Sequence, residues 1–331
     1  CHDIGLYPTL ITNGLMLAKE GVVEKYRDAG LRDFLVSLHG VRETHDEVVR
    51  VKGAYEKIKK AIEHMQRLDF PFRINCTMSK PVIPLLPEIA QHAIDYGAYA
   101  VNFIAFNPFG DQECGKRGSD TVARYSEVSE QLARAMEILE NAGIEVNVRY
   151  LPLCMAEEKY RKNFYNFQQL SYDTHEWDFQ SWVWSMSVPQ LRKEGEVMPP
   201  FLLGGPYSRE LRNGDALYIR DHFEREPLVQ GIKFKGHRFL TRMIQMARGL
   251  DGIYREEARY RAEVNCHYKY HDACNECVAK NICDGFHGDY ADLFGTDEAN
   301  PIHGKQCIDD PCHYIREQVK TVEPEDMAWA F

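Results

Sequence analysis

The sequence predicts an α/β protein that contains a partial (β/α) barrel, followed by a small, loop-rich extension with many cysteines. Two observations support this prediction. In residues 1–153, short β-forming runs alternate with amphipathic helical patterns, which is typical of parallel βα units. Beyond residue 265 the βα pattern is absent, and six of the chain's ten cysteines fall within 266–312.

Five strands are predicted from short apolar runs rich in β-branched and aromatic residues. They cover residues 8–12, 33–38, 71–77, 100–106 and 144–151. A full or partial TIM-like barrel and an open doubly wound sheet both fit this order. No G-x-G-x-x-G or G-x-x-x-x-G-K-[ST] motif follows a strand, which argues against a dinucleotide-binding or P-loop fold.

The helices between these strands show apolar residues at positions i, i+3, i+4 and i+7, the spacing of one buried face. In the helix predicted at 54–68, this face consists of Ala54, Ile58, Ala61, Ile62, Met65 and Leu68. In the helix predicted at 123–143, it consists of Tyr125, Val128, Leu132, Ala135, Met136 and Leu139. Gly30, Gly97 and Gly143 lie where glycines end helices.

Polar residues follow four of the strands. They are Thr12-Asn13-Gly14, Ser37-Leu38-His39-Gly40, Asn75-Cys76-Thr77 and Asn107-Pro108. The carboxyl ends of parallel strands meet at one edge of the fold, so these residues are expected to surround one mouth. Asn, Gly, Thr and Pro also simply form turns, and spacing alone leaves both interpretations open.

Residues 154–265 interrupt the βα pattern and are predicted to form a connecting or capping region. The stretch 160–186 is dense in aromatic residues, which either cap a site or pack against each other. A helix is predicted at 237–249. The last predicted segment, 266–331, contains the cysteines and ends in an acidic tail at 321–331, which is expected to be loosely ordered.

The run CNECVAKNIC places Cys274, Cys277 and Cys283 at C-x2-C-x5-C, a spacing that predicts a metal site. Zinc ribbons usually have two C-x2-C pairs, whereas an x5 spacing is more typical of loops that hold an iron–sulfur cluster. Zinc remains the alternative. Clustered cysteines in a chain of this size favour metal ligation over disulfides, and therefore predict a reducing, cytoplasmic location.

Three ligands require a fourth, and several residues could supply it. Cys266, Cys307 and Cys312 belong to the same cysteine-rich section, while Cys154 follows the fifth predicted strand in RYLPLC. His271, His287 and Asp284 are further alternatives. Cys76 lies inside a strand and is interpreted as a small buried apolar residue.

The formal net charge of −10 argues against a nucleic-acid partner that would be held by phosphate contacts. No apolar run reaches the roughly 18 residues that a membrane helix needs, so no membrane partner is expected. Residues 1–20 lack the basic and apolar regions of a signal peptide.

Two parts of the chain resemble one family. The run LITNGLML…VSLHGVRETHDEVVRVKGAYEKIKKAI…INCTM…AVNFIAFNPFG resembles the later part of a radical S-adenosylmethionine (radical SAM) core, a six-stranded partial barrel. CNECVAKNICDG, followed by Tyr290, Gly295 and Pro301, resembles the SPASM/Twitch extension, which holds auxiliary iron–sulfur clusters. Together the two similarities extend over about two-thirds of the chain.

The resemblance assigns the family's third to sixth strands to 8–12, 33–38, 71–77 and 100–106. The family's first two strands, with the C-x3-C-x2-C loop of the catalytic cluster, have no counterpart, and this motif occurs nowhere in the sequence. The chain is therefore expected to be the later part of a longer enzyme and to be inactive alone. The alternative is a degenerate relative that never had these strands.

The resemblance implies an enzyme that generates a 5′-deoxyadenosyl radical from S-adenosyl-L-methionine. The radical would abstract hydrogen from an unidentified substrate, a peptide, a sugar or a nucleoside. An electron donor such as flavodoxin or ferredoxin is implied as partner. The positions that match the family's cofactor contacts are Thr12, Asn13, Ser37 and Asn75, of which Ser37 is the strongest candidate.

The full SPASM pattern is C-x2-C-x5-C-x3-C, and His287 occupies its last position here. This departure favours one auxiliary [4Fe–4S] cluster, bound by Cys274, Cys277 and Cys283. Cys154 is preferred as the fourth ligand over Cys307 or Cys266. A zinc-stapled binding or scaffold domain without catalysis is the main alternative. A barrel hydrolase that uses His39, His45 and Asp46 is a third hypothesis.

Overall fold

The structure is a computed structural model that describes residues 7–108, 117–170, 172–173 and 266–322, with residues 255, 258, 259, 262 and 263. The predicted helix at 237–249, most of the aromatic segment 160–186 and most of the tail 321–331 lie outside the described residues. The chain divides into two units. The larger contains 1–166 with 268–329 and 331, and the smaller contains 167–267 with 330.

Six parallel strands form one sheet in the order of the sequence, from β1 to β6. They are β1 (Thr9–Thr12), β2 (Asp33–Ser37), β3 (Phe72–Met78), β4 (Ala100–Ala105), β5 (Glu145–Arg149) and β6 (Phe164–Tyr165). A parallel sheet in which each strand lies beside its successor is the arrangement of a partial βα barrel. The predicted α/β, partial TIM-like fold is therefore confirmed.

Helices connect these strands, and one further helix lies in the cysteine-rich section. The larger unit contains α1 (Val22–Asp28), α2 (Glu43–Val49), α3 (Ala54–Arg67), α4 (Leu86–Tyr96), α5 (Tyr125–Asn141) and α7 (Gly288–Phe294). A short helix α6 (Phe167–Leu170) belongs to the smaller unit. No described helix is long and apolar enough to cross a membrane.

The hydrophobic patterns predicted these elements closely. All six apolar positions predicted for α5 are buried, and five of the six predicted for α3 are buried, with Leu68 half-buried at the helix end. Gly97 ends α4 with φ 79°, and Gly143 follows α5 with φ 73°, conformations that favour glycine. The two-residue strand β6 was not predicted, because it is too short to show a period.

The cysteine-rich section shares the core of the barrel. Ala279, Ile282, Phe286, Tyr290 and Ile302 are buried in the same apolar cluster as the strands and α5. Two 3₁₀ turns (Asp272–Glu276 and Lys280–Ile282) and the helix α7 are the regular structure around the C-x2-C-x5-C motif. This section is therefore held in place mainly by apolar burial.

A buried ion pair crosses the inner face of the sheet near its amino-terminal edge. Arg73 Nε on β3 donates to Asp33 Oδ2 on β2 at 2.5 Å, and Arg73 Nη2 donates to Asp33 Oδ1 at 3.2 Å. Tyr99 Oη also donates to this carboxylate. Both charged residues are 1% exposed, so the pair compensates two charges that would otherwise be costly to bury.

We predict that Asp33→Ala lowers the free energy of unfolding by about 3–5 kcal/mol, because it removes a hydrogen-bonded counter-charge from the buried guanidinium of Arg73. Asp28→Ala is the control, since Asp28 pairs with Arg27 on the surface. Its loss should cost less than about 1 kcal/mol. Urea unfolding followed by circular dichroism measures both, and equal losses would contradict this account.

Candidate active-site mouth and metal centre

One row of polar side chains crosses the inner face of the sheet. Ser37, Asn75, Asn102 and Asn147 are register partners on β2, β3, β4 and β5. Register partners in a parallel sheet project from the same face. The row ends at the carboxyl edge of β2, where ligands of parallel βα folds bind.

The half of this row on β4 and β5 is closed by hydrogen bonds within the protein. Asn147 Nδ2 donates to Asn102 Oδ1 at 3.0 Å, and Gln318 Nε2 donates to Asn147 Oδ1 at 3.1 Å. The segment that contains Gln318 continues to Lys320, whose ammonium pairs with buried Glu145 at 3.3 Å. This half of the inner face is occupied by the chain itself.

On β2 and β3 the row makes no such internal hydrogen bonds in the described part of the chain, and we call this part the open half of the row. Asn75 Oδ1 is buried, and no hydrogen-bond partner for it lies among the described residues. The Ser37 hydroxyl likewise has no hydrogen bond in the described part of the chain. An unpaired buried acceptor is costly, so Asn75 Oδ1 marks a place where a ligand donor fits. We call the carboxyl ends of β1, β2 and β3 the strand-end mouth.

Thr12 and Asn13 shape the turn that follows β1. Thr12 Oγ1 accepts the Gly14 N–H at 3.1 Å, and Asn13 Oδ1 accepts the Leu15 N–H at 3.3 Å. Such bonds are the usual work of Thr and Asn in turns. Contact of these two residues with a cofactor stays a prediction. Their side-chain oxygen atoms already accept backbone hydrogen bonds.

The motif SLHGVRETHD does not assemble a hydrolytic relay. Asp46 accepts the Gly53 and Tyr55 N–H groups at 2.5 and 2.8 Å, at the start of α3. These bonds, led by the one from Tyr55, hold the pKa of its carboxyl below the usual value. His45 Nδ1 accepts the backbone N–H of His39 at 3.0 Å. Within the described residues, Asp46 makes no hydrogen bond to either imidazole.

Four cysteines line one cavity between the barrel and the cysteine-rich section. Cys154 follows β5, whereas Cys274, Cys277 and Cys283 belong to the C-x2-C-x5-C motif. Leu153, Phe286 and Ile302 contribute apolar walls. We call this space the cysteine cavity. All four residues have free thiols, and sulfur donors of this number suit zinc or an iron–sulfur cluster.

Three of the four thiols have a raised pKa. Burial raises the pKa of Cys154, and the neighbouring Cys274 and Cys277 raise it further. Burial also raises the pKa of Cys283, with a contribution from Cys154. A bound metal would lower these pKa values and deprotonate the thiols. The chemistry of this donor set therefore suits a cluster held by four thiolates.

Two backbone N–H groups and one lysine ammonium interact with sulfurs of the C-x2-C-x5-C motif. Gly285 N–H donates to Cys283 Sγ and Ile302 N–H to Cys277 Sγ, both at 3.4 Å. Lys280 also lines the cavity, its ammonium held by Asn275 Oδ1 at 2.7 Å, and its charge favours the thiolate of Cys274. Hydrogen bonds to sulfur and nearby charge are the features that tune a bound cluster.

The other candidate ligands lie elsewhere. Cys307 is exposed, and it is absent from the described wall of the cavity, as are Asp284, His271 and His287. His271 Nδ1 accepts the Ala273 N–H, and His287 Nδ1 accepts the Asp289 N–H at the start of α7. Cys266 belongs to the smaller unit of the chain.

Two further observations concern the buried Cys76 and the geometry of possible metal ligands. Cys76 is 0% exposed within the core, as predicted for a packing cysteine. Among the described residues, no group of three or more His, Cys, Asp or Glu side chains is arranged to hold a single metal ion. The four cysteines surround the cavity from two sides instead, and each ligand of a [4Fe–4S] cluster binds a different iron atom.

The strand-end mouth lies in a part of the chain with recognised relatives. Residues 2–95 match the Radical SAM superfamily. This range contains β1, β2 and β3 with Ser37 and Asn75. The resemblance of this segment to the radical SAM core is thereby confirmed, while the SPASM/Twitch resemblance of the cysteine-rich section stays a prediction.

Two curated relatives of the radical SAM type are similar to parts of this chain. An AdoMet-dependent heme synthase from Methanosarcina barkeri (strain Fusaro / DSM 804) is 38% identical over 109 residues, 33% of this chain and 31% of the relative. A PqqA peptide cyclase from Bradyrhizobium diazoefficiens is 35% identical over 97 residues, 29% of this chain and 25% of the relative. The chain thus matches about a third or less of these relatives' lengths.

One solved structure with partial similarity is a xylose isomerase domain protein from Alicyclobacillus acidocaldarius subsp. acidocaldarius. It shares 18% identity, with coverage of 44% of this chain and 50% of that chain, at a TM-score of 0.26. This score carries no argument, so the fold assignment rests on the strand order alone.

The sequence analysis did not single out Ser79 or Arg149, two buried polar residues at strand ends. Ser79 directly follows β3, and its buried hydroxyl has no partner among the described residues. Arg149 ends β5 with 1% exposure and faces the ring of Tyr165 at 5.9 Å. Ser79 comes two residues after the strand predicted at 71–77, and Arg149 lies within the strand predicted at 144–151, so neither position was a signal of function.

An aromatic junction fastens the cysteine-rich section to α5. The rings of Tyr125 and Tyr290 stack with centroids 3.7 Å apart. Tyr290 Oη accepts the Tyr125 N–H at 2.8 Å and donates to Glu298, whose other oxygen accepts the Ser126 N–H at 3.0 Å. The junction supplies partners for two free N–H groups at the start of α5 and brings a carboxylate to its positive end.

We predict that Tyr290→Phe lowers the free energy of unfolding by about 2 kcal/mol, since it removes one bond to a backbone N–H and one to a carboxylate. Tyr26→Phe is the matched control, because the Tyr26 hydroxyl has no hydrogen bond within the described part of the chain. It should change stability by less than about 0.5 kcal/mol. Indistinguishable urea midpoints for the two variants would contradict the junction.

Proposed function

We propose that this chain is part of a radical SAM enzyme that binds S-adenosyl-L-methionine at the strand-end mouth and one auxiliary [4Fe–4S] cluster in the cysteine cavity. The main support is the open half of the polar row, with an unpaired Asn75 oxygen, within the segment that matches the Radical SAM superfamily. The four-cysteine cavity supports the second part of the proposal.

The residues of the mouth would bind and orient the cofactor. Asn75 Oδ1 would accept a hydrogen bond from the cofactor. The Ser37 hydroxyl would donate to a carboxylate oxygen, or would donate to or accept from a ribose hydroxyl. S-adenosyl-L-methionine, when bound with a reduced catalytic cluster, supplies the 5′-deoxyadenosyl radical that abstracts hydrogen from substrate. The protein's part is to position the reactive groups and to exclude water.

In the cysteine cavity, Cys154, Cys274, Cys277 and Cys283 would each provide one thiolate. The apolar walls of Leu153 and Phe286 would shield the cluster from solvent, which together with the N–H···S bonds sets its reduction potential. A barrel cysteine and three extension cysteines would then hold one cluster. Zinc is the second candidate, favoured only by the all-sulfur donor set.

The substrate and partners of the whole enzyme are further parts of the proposal. The substrate is a peptide, a sugar or a nucleoside, and the likeness to a PqqA peptide cyclase supports a peptide. The electron donor is a small redox protein such as flavodoxin or ferredoxin, and the location is the cytoplasm. Because no C-x3-C-x2-C motif occurs in the 331 residues, we expect this chain alone to form no 5′-deoxyadenosine.

We predict that the chain, reconstituted anaerobically with iron and sulfide, binds about four of each and absorbs broadly near 400 nm, as expected for one [4Fe–4S] cluster. Cys154→Ala and Cys274→Ala should each lose most of the iron, because each removes one thiolate ligand. Iron and sulfide analysis with visible spectroscopy measures the effect.

Cys307→Ala is the matched control for these variants, since Cys307 is an exposed cysteine of the same section. It should retain the iron and the spectrum of the unaltered chain. Iron loss in Cys307→Ala but not in Cys154→Ala would show that Cys307, and not Cys154, is the fourth ligand. A colourless protein that contains zinc would favour the zinc-stapled scaffold.

We predict that Ser37→Ala and Asn75→Ala each weaken S-adenosyl-L-methionine binding about tenfold, the effect of one lost hydrogen bond to a polar ligand. Asn141→Ala, at the exposed end of α5, should leave the affinity unchanged. Isothermal titration of each variant gives the dissociation constants, and unchanged binding by both mouth variants would argue against a cofactor site here.

A further inference from the structure

The loop from β2 to α2 is held in an unusual conformation beside the strand-end mouth. Gly40 has φ 131°, and a Cβ at this position would lie 3.0 Å from the backbone nitrogen of His45. Arg42 has φ 50° and ψ −126°, a region that L-residues rarely adopt. Such strain persists only where the surrounding structure fixes it, and it concentrates at functional sites.

What this loop positions is the imidazole of His39. The backbone N–H of His39 donates to Nδ1 of the buried His45 at 3.0 Å. The ring Nδ1 of His39 accepts the Thr77 N–H, at the carboxyl end of β3, also at 3.0 Å. Because Nδ1 is an acceptor, the ring proton of the neutral imidazole lies on Nε2. Both orientation and tautomer are therefore determined by the protein.

The Nε2–H group of His39 is available to a ligand. Among the described residues it has no hydrogen-bond partner, and His39 is only partly buried. It lies just beyond Ser37 on β2 and next to Thr77 on β3, above the open half of the polar row. A ligand that reaches Ser37 and Asn75 from the carboxyl edge of the sheet would pass this donor.

The surroundings of His39 also keep it uncharged. Burial, followed by the nearby His45, lowers the pKa of His39 to about 4. His45, from α2, is the titratable group that faces it, and β3 presents only the Thr77 backbone N–H. Asp46, the nearest carboxylate in sequence, is committed to the Gly53 and Tyr55 N–H groups.

We propose that His39 is a cofactor-binding residue whose Nε2–H donates a hydrogen bond to S-adenosyl-L-methionine at the strand-end mouth. The inference rests on the proposed function of the mouth. A permanent cation in the same place would repel the sulfonium, whereas the neutral donor binds without this penalty.

The binding test compares two ligands and three variants of the full chain. S-adenosyl-L-methionine is a cation at sulfur, while S-adenosyl-L-homocysteine is its uncharged thioether analogue. His39→Gln keeps a neutral donor and should bind both ligands within about threefold of the unaltered chain. His39→Leu lacks the donor and should bind both about tenfold more weakly.

His39→Lys is the decisive variant, because it keeps a donor but adds a charge. It should weaken S-adenosyl-L-methionine binding at least about tenfold more than S-adenosyl-L-homocysteine binding. Equal losses of the two ligands would overturn the charge argument, and unchanged binding by His39→Leu would overturn the hydrogen bond. If the unaltered chain binds neither ligand, the proposed cofactor site fails and takes this inference with it.

A second measurement needs no ligand. Two-dimensional ¹H–¹⁵N spectra of histidine-labelled protein, assigned with His39→Gln, should show His39 as the Nε2–H tautomer. Its signals should change little between pH 8 and pH 6, because the imidazole stays neutral in this range. Titration of His39 with a midpoint near 6.5, or an Nδ1–H tautomer, would overturn the proposal.

Discussion

The arrangement of the cysteine cavity depends on one junction, in which Tyr290 and Glu298 of the cysteine-rich section bind the start of α5. Three of the four cysteines belong to that section, whereas Cys154 belongs to the barrel. A shift between the two parts would therefore separate the donors. Stacking on Tyr125 and the bonds to the N–H groups of Tyr125 and Ser126 fix the position of the section along α5, while burial of Phe286 in the common core supplies the larger stabilisation.

On the inner face of the sheet, internal hydrogen bonds occupy the polar side chains of β4 and β5 but not those of the open half on β2 and β3. Asn102, Asn147 and Gln318 satisfy each other near β5, so a ligand there would have to displace internal bonds. On β2 and β3 the described residues make no such bonds to the row, and the buried Asn75 oxygen could still accept a hydrogen bond from the proposed ligand. Hydrogen bonding therefore favours the β2 and β3 side for that ligand.

The sequence contained most of the fold because α5 and the central strands follow strong periodicities, which depend on burial on one face. It could not reveal β6, whose two residues show no period. It indicated Cys154 only through its place after a strand, since a contact across more than 100 residues leaves no local pattern. The turn bonds of Thr12 and the fixed ring of His39 depend on backbone atoms, which residue type does not specify.

The central claim is that residues from both the barrel and the extension hold a single cluster with sulfur ligands alone. Mössbauer spectroscopy of the chain reconstituted with ⁵⁷Fe tests it most directly. The account predicts a diamagnetic [4Fe–4S]²⁺ cluster in which every iron atom has the parameters of tetrahedral sulfur coordination. An iron site with nitrogen or oxygen ligation, a [2Fe–2S] spectrum, or isolated high-spin iron would contradict ligation by Cys154 together with Cys274, Cys277 and Cys283.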